Sequence, residues 1–246
     1  MTPPQTLFET PFRMERITTS GESAGAGIEG CGPTRERLLE TAERLFAEKG
    51  FDGTSVRAIT AEAGCNLAAV NYHFGGKDQL YEEIFRQRLA VLRLQRLASI
   101  RSVVDEGGGR ISLETLLREF ATTFLEPFME AGAGRIWQRL LWREMVEPHL
   151  RQGLFAEQII TPVHKELAAA LVPACPGLDL ETARRCTYSL VGQLVHFMRL
   201  ERYFDGTPEE AAGRLPVPEL IDHVVRFSAA GIRAAADGCR EAGGKE

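Results

Sequence analysis

The chain lacks any apolar run near the twenty or so residues that a membrane-crossing helix needs, so no membrane partner is expected. It also lacks a basic start followed by an apolar stretch, so no secretory signal is expected. Its five cysteines, at positions 31, 65, 175, 186 and 239, are odd in number and irregularly spaced. That fits the reducing cytoplasm better than a disulfide framework. His149, His164, His196 and His223 are scattered, and no CxxC or HExxH spacing occurs, which predicts no bound metal. No nucleophile elbow, phosphate loop or dinucleotide fingerprint is present, so neither an enzyme nor a cofactor protein is expected. No segment alternates as a strand does, and no short repeat recurs. A net charge of −5 also argues against indiscriminate nucleic-acid binding by the whole molecule.

What remains is a helical protein with ordinary contents, 44% hydrophobic and 26% charged. Residues 1–32, ending in the Gly- and Ser-rich SGESAGAGIEGCGP, read as a disordered tail. A first helix is expected over Arg35–Lys49, capped by Thr34, with Leu38, Ala42, Leu45 and Phe46 as its apolar stripe and Gly50 as its stop. A long helix without Pro or Gly should start at Lys77 and stop at Gly107. Further helices are expected over Ile111–Glu130, Gly134–Val146, Leu154–Leu171, Leu180–Phe204 and Pro218–Ala236. The fold class is therefore all-α.

The most informative stretch is TSVRAITAEAGCNLAAVNYHFGGK, Thr54 to Lys77. Thr54 or Ser55 can cap a short helix with Val56, Ile59 and Ala63 turned inward, and Gly64 can end it. Asn66 can cap a second short helix. Val70 and Phe74 point inward there, leaving Leu67, Ala68, Asn71 and Tyr72 outside. Two short helices around a glycine turn form the helix-turn-helix shape, whose second helix enters the DNA major groove. On that reading Lys77, Tyr72, His73, Thr54 and Ser55 hold phosphates. Leu67, Ala68, Ala69 and Asn71 face base edges. Residues 33–90 carry eight Lys or Arg against nine Asp or Glu, so a basic face can only be local. Arg35, Arg37, Arg57 and Lys77 are its candidates.

These residues, with TRERLLETAERLFAEKGFDGTS ahead of them, closely resemble the tetracycline-repressor (TetR) family. NLAAVNYHFGGKDQLY is similar to a CecR-like subgroup, as are LLWREMVEP, SLVGQLVHF and LIDHVVRFSAAGIRA farther on. The chain departs from many members at Asn71, where Tyr is common, at Gly76, where Ser or Thr is common, and at Cys65, where Val is usual. The resemblance implies a helix-turn-helix domain at 33–80 and an effector-binding and dimerisation bundle at 81–240. It implies a homodimer on a palindromic operator of double-stranded DNA, most simply a repressor released by a small molecule. It sets Arg57 near the groove and pairs the last two long helices of each subunit in a four-helix interface. Ser189, Leu190, Gln193, Leu194, Phe197 and Met198 are one candidate face; Val224, Val225, Phe227, Ser228, Gly231 and Ile232 are the other.

An effector pocket, suited to a hydrophobic or aromatic molecule, is sought among bulky side chains with a few polar ones. Phe120, Phe124 and Phe128 form an aromatic stripe, and Trp137, Leu141 and Met145 add bulk. Glu144, Tyr188, Gln193 and His196 supply polar groups. The rival function is a small-molecule, metal or redox sensor acting through protein contacts with a vestigial DNA head.

Overall fold

The computed structural model describes residues 31–108, 111–129, 133–204 and 216–243. Residues 1–30 of the expected tail lie outside the described residues, while its last two, Cys31 and Gly32, belong to the first helix. Three short-range elements come first: α1 (Cys31–Lys49), α2 (Val56–Glu62) and α3 (Ala68–Phe74). The rod α4 (Lys77–Glu106) follows, then α5 (Leu113–Met129), α6 (Ala133–Val146), α7 (Thr161–Ala174), α8 (Leu180–Phe204) and α9 (Val217–Gly243). No strand occurs among the described residues, and none of their helices is long and apolar enough to cross a membrane.

The apolar stripe of α1 is buried as its spacing requires, with Leu38, Ala42, Leu45 and Phe46 withdrawn from solvent. The helix starts at Cys31, so Thr34 falls inside its first turn rather than at its cap. Gly50 ends it with a left-handed φ of 79°. Thr54 then fastens the turn. Its hydroxyl lies 3.1 Å from the Leu45 carbonyl and 2.8 Å from that of Gly50.

The rod α4 holds the first three helices to the rest. At 30 residues it is about 45 Å long. Its early turns pack on α1 and α3, and its later turns on α5 and α7. Arg88 grips Glu43 of α1 with two bonds, at 2.7 and 2.6 Å, a geometry that fixes orientation as well as charge. Aromatic rings make the junction continuous. Tyr81 meets Phe46 and Phe51 edge-on at 5.0 Å, and Phe85 meets Trp137 at 5.1 Å. One hydrophobic core thus runs through residue 80 without interruption.

Behind the rod, α5 packs on α4 and α9, α7 on α8, and α8 on α9. The segment expected as one helix over Leu154–Leu171 has a π-helical turn, Ala156–Ile160, before α7. Its last bond runs from the Thr161 amide to the Ala156 carbonyl. Pro162 lies just beyond it, in the first turn of α7. Proline lacks an N–H and crowds the carbonyl four residues back, and the wider turn accommodates both.

Candidate nucleic-acid interface

Ser55 is the cap of α2, its Oγ accepting from the Ala58 amide at 3.1 Å. Gly64 makes the turn with a φ of 63°, a conformation that costs side-chain-bearing residues about 1–2 kcal/mol. Asn66 Oδ1 accepts from the Ala68 amide at 2.9 Å just ahead of α3, whose cap position falls on Leu67 rather than on Asn66. Val70 is fully buried beneath that helix. Leu67, Ala68, Asn71 and Tyr72 are exposed on its outer side, Tyr72 to 80%. The turn into α4 needs glycine, since Gly75 has φ 86° and Gly76 φ 146°. Gly76 offers no side-chain cap, so the first amides of α4 are left to other acceptors.

Arg57 is exposed on α2 and Lys77 opens α4. Neither forms an ion pair among the described residues. Lys77 Nζ lies 4.1 Å from the centre of the Phe51 ring, which restrains where its charge can sit. His73 is partly buried and its ring meets that of Tyr72 edge-on at 5.0 Å. Two positions differ from expectation. Thr54 is buried and turned inward, because its hydroxyl serves the α1 turn, so it offers nothing to phosphate. Ala69 is half-buried against the core rather than facing outward.

The near-neutral charge of this unit has a structural answer. Five of its nine acids are drawn to its other arginines: Arg35 to Glu83, Arg44 to Glu48 and Glu62, Arg86 to Glu82, Arg88 to Glu43. Arg35 also lies over the Phe74 ring, which removes it from the candidate phosphate contacts. Arg37 stays exposed, with Cys65 Sγ at 3.9 Å.

A joint that the sequence did not mark ties this unit to the body. Arg143 of α6 donates to the carbonyls of Ala47 and Glu48, at 3.0 and 2.9 Å, and so caps the C-terminal turn of α1. Glu144 is buried and accepts from the Tyr81 hydroxyl at 3.1 Å and from the amides of His149 and Leu150. Burial, and after it the Glu144 charge and hydrogen bond, push the Tyr81 phenol far above its ordinary range, so it remains a donor. The His149 ring stacks on Phe51 at 4.4 Å.

The expected effector residues are brought together only in part, with the Phe120 and Phe124 rings 6.0 Å apart. Phe120, Phe124, Trp137 and Leu141 are core side chains. Glu144 is spent on the joint, since its oxygens already accept three bonds from the chain. Met145, Tyr188 and His196 are exposed, and Gln193 donates to Ser228 at 3.2 Å. The Phe128 side chain lies outside the described residues. On the expected dimer faces, Leu190, Leu194, Met198, Val224, Val225 and Ile232 are buried within their own subunit. Phe227, Ser189 and Gly231 remain exposed.

Comparison with known proteins agrees with this geometry. Residues 38–84 match the model of the bacterial regulatory proteins of the tetR family. Residues 113–232 match that of the C-terminal domain of the HTH-type transcriptional dual regulator CecR. The chain is 29% identical to CecR of Shigella flexneri over 182 residues, covering 66% of this chain and 74% of that protein. It is 35% identical to the repressor AcnR of Corynebacterium glutamicum, over 31% of this chain and only 40% of AcnR. A Mesorhizobium loti structure assigned to the TetR-family regulators superposes with a TM-score of 0.60 at 18% identity, covering 82% of this chain and 96% of that one. HlyIIR, a hemolysin II transcriptional regulator, gives 0.53 at 19% identity, over 80% and 98%. The exposed recognition helix, the rod behind it and the two family matches have one reading: the chain belongs to the TetR family of DNA-binding transcriptional regulators and is of the CecR-like type.

Proposed function

We propose that this regulator is a ligand-responsive repressor of the cytoplasm that binds a palindromic operator as a homodimer and leaves it when a small molecule enters the body. The observation that carries the reading is the outer side of α3. Tyr72 and Asn71 stand in solvent on a short helix whose opposite side is pinned by buried Val70. Arg57 on α2 and Lys77 at the start of α4 are cations that form no ion pair among the described residues. Asn71 suits adenine, an arginine such as Arg57 suits guanine, and the small side chain of Ala68 permits close approach. Tyr72 and Lys77 suit phosphate.

Residues 33–80 then act as the reading head and 81–240 as the sensing and dimerising body. Exposed Phe227, stacked on His223 at an interplanar angle of 23°, suits burial against a second copy. Two heads related by a two-fold axis would meet half-sites about 34–36 Å apart. The joint of Arg143, Glu144 and Tyr81 gives the body a grip on α1 and α4 together. A ligand favouring a displaced α6 would turn the heads out of register, and DNA would by linkage weaken that ligand. Titration of an operator complex with a bound effector is the test. Falling DNA affinity is expected; an unaltered affinity at saturating effector refutes the mechanism.

A further inference from the structure

The buried stripe of α4 reads Phe85, Leu89, Leu92, Arg96, Ile100, Val103. A guanidinium therefore stands where the helix otherwise presents hydrocarbon. Arg96 is only 7% exposed. Other arginines of the rod have acceptors: Arg86 bonds Glu82, Arg88 bonds Glu43, Arg93 bonds the Gln158 carbonyl and Arg101 bonds Glu166. Among the described residues Arg96 forms no ion pair, and its buried Nε has no hydrogen-bond partner. Its guanidinium lies 3.8 Å from the centre of the Phe124 ring. A ring face attracts a cation but uses none of its N–H donors. Burial pushes the group down to about 9, so it is charged at neutral pH.

The surroundings add no negative charge. His164 of α7 is half-buried, and its imidazole is pushed down by burial and then by the Arg96 charge. Its Nδ1 has no partner, and its ring meets Tyr188 of α8 edge-on at 4.9 Å. Phe120 flanks Phe124 at 6.0 Å. Trp137 and Trp142 also bury unpartnered N–H groups, but Trp137 packs on Phe85, about three turns back along α4.

We infer that Arg96 is the anchor of an acidic effector, an organic acid whose carboxylate takes the guanidinium while its apolar body lies against Phe120 and Phe124, with His164 as a second hydrogen-bonding group. The inference deepens the ligand-responsive reading and rests on it. A carboxylate would use the planar donor fork that the chain leaves idle. It would also neutralise a charge held away from water.

The test uses the full chain and four acids, benzoate, 2-naphthoate, indole-3-acetate and decanoate, each beside its primary amide. Thermal melts and titration calorimetry are the readouts. At least one acid should bind once per chain and raise the melting temperature, with its amide at least tenfold weaker. Arg96→Met should abolish the response and Arg96→Lys should retain part of it. Without acid, Arg96→Met should melt no lower than the parent, since it replaces an unpaired charge with hydrocarbon. Silence from all four acids, equal binding of acid and amide, undiminished binding to Arg96→Met, or a marked fall in its melt each overturns the assignment. Operator binding separates the two readings. Acid that binds at Arg96 without weakening DNA refutes the regulatory mechanism and leaves the site standing. Release by a neutral compound, with no acid bound, does the reverse.

Discussion

Tyr81→Phe removes one oxygen and should unfasten the head from the body. The ring contacts with Phe46, Phe51 and Phe85 survive the change, because only the hydroxyl goes. What disappears is a buried bond to an acid, 3.1 Å long, to a carboxylate that is only 5% exposed. Bonds to charged groups contribute about 1.5–3 kcal/mol. Glu144 keeps its two backbone amides, so a loss of about 2 kcal/mol is expected, near the lower part of that range. For a chain of this size that lowers the melting temperature by roughly 4–8 °C. The same variant should weaken operator binding while leaving its salt dependence as it was, because no phosphate contact is removed. Thermal melts and anisotropy at several salt concentrations measure both. A melt within about 2 °C of the parent, or a reduced salt slope, refutes the claim that this bond positions the head.

Lys77→Ala should weaken binding to all DNA sequences alike and reduce the salt slope by about one, read by anisotropy on specific and scrambled duplexes; a change confined to sequence preference contradicts a phosphate role. Asn71→Ala and Arg57→Ala should do the converse, relaxing preference at particular base pairs by about 1–3 kcal/mol each, as measured by selection from a randomised duplex library. On the proposed homodimer, Phe227→Asp should yield monomers in sedimentation experiments and abolish binding to the full palindrome. Dimers that persist would move the interface off α9.

The parts of the fold that sequence made legible are those where one local rule acts alone. Helix α4 runs from Lys77 to Glu106 because Gly76 and Gly107 bracket a stretch without breakers. The bounds Leu180–Phe204 follow for α8 from its apolar periodicity. The rule failed where two competed. Apolar spacing ran through Leu154–Leu171, but Pro162 cannot extend a regular helix backward, and the chain answered with a π turn. Thr54 shows a similar limit. Threonine before a helix suggests a cap, yet Ser55 took that place and Thr54 closed the preceding turn. Residue type alone does not separate adjacent hydroxyls.

The candidate sites divide along the same line. The outer side of α3 is a local matter, so Leu67, Ala68, Asn71 and Tyr72 could be assigned to it from spacing within one helix. Ligand sensing and dimerisation depend on which helices meet, and periodicity does not report that. Leu190 and Val224 sit on apolar stripes equally fit for a partner or for their own core, and the core holds them. Glu144 was a candidate as one of a few polar groups among bulky side chains; its actual partners lie 63 residues upstream and in the next loop. Arg96 was the one informative exception within reach of the sequence. Buried positions at 85, 89, 92, 96, 100 and 103 keep helical register, and a charge inside such a register conflicts with the pattern around it. Conflicts of that kind persist when function holds them in place. For this regulator the conflict falls on the rod that joins body to head, where a neutralised charge could be felt by both.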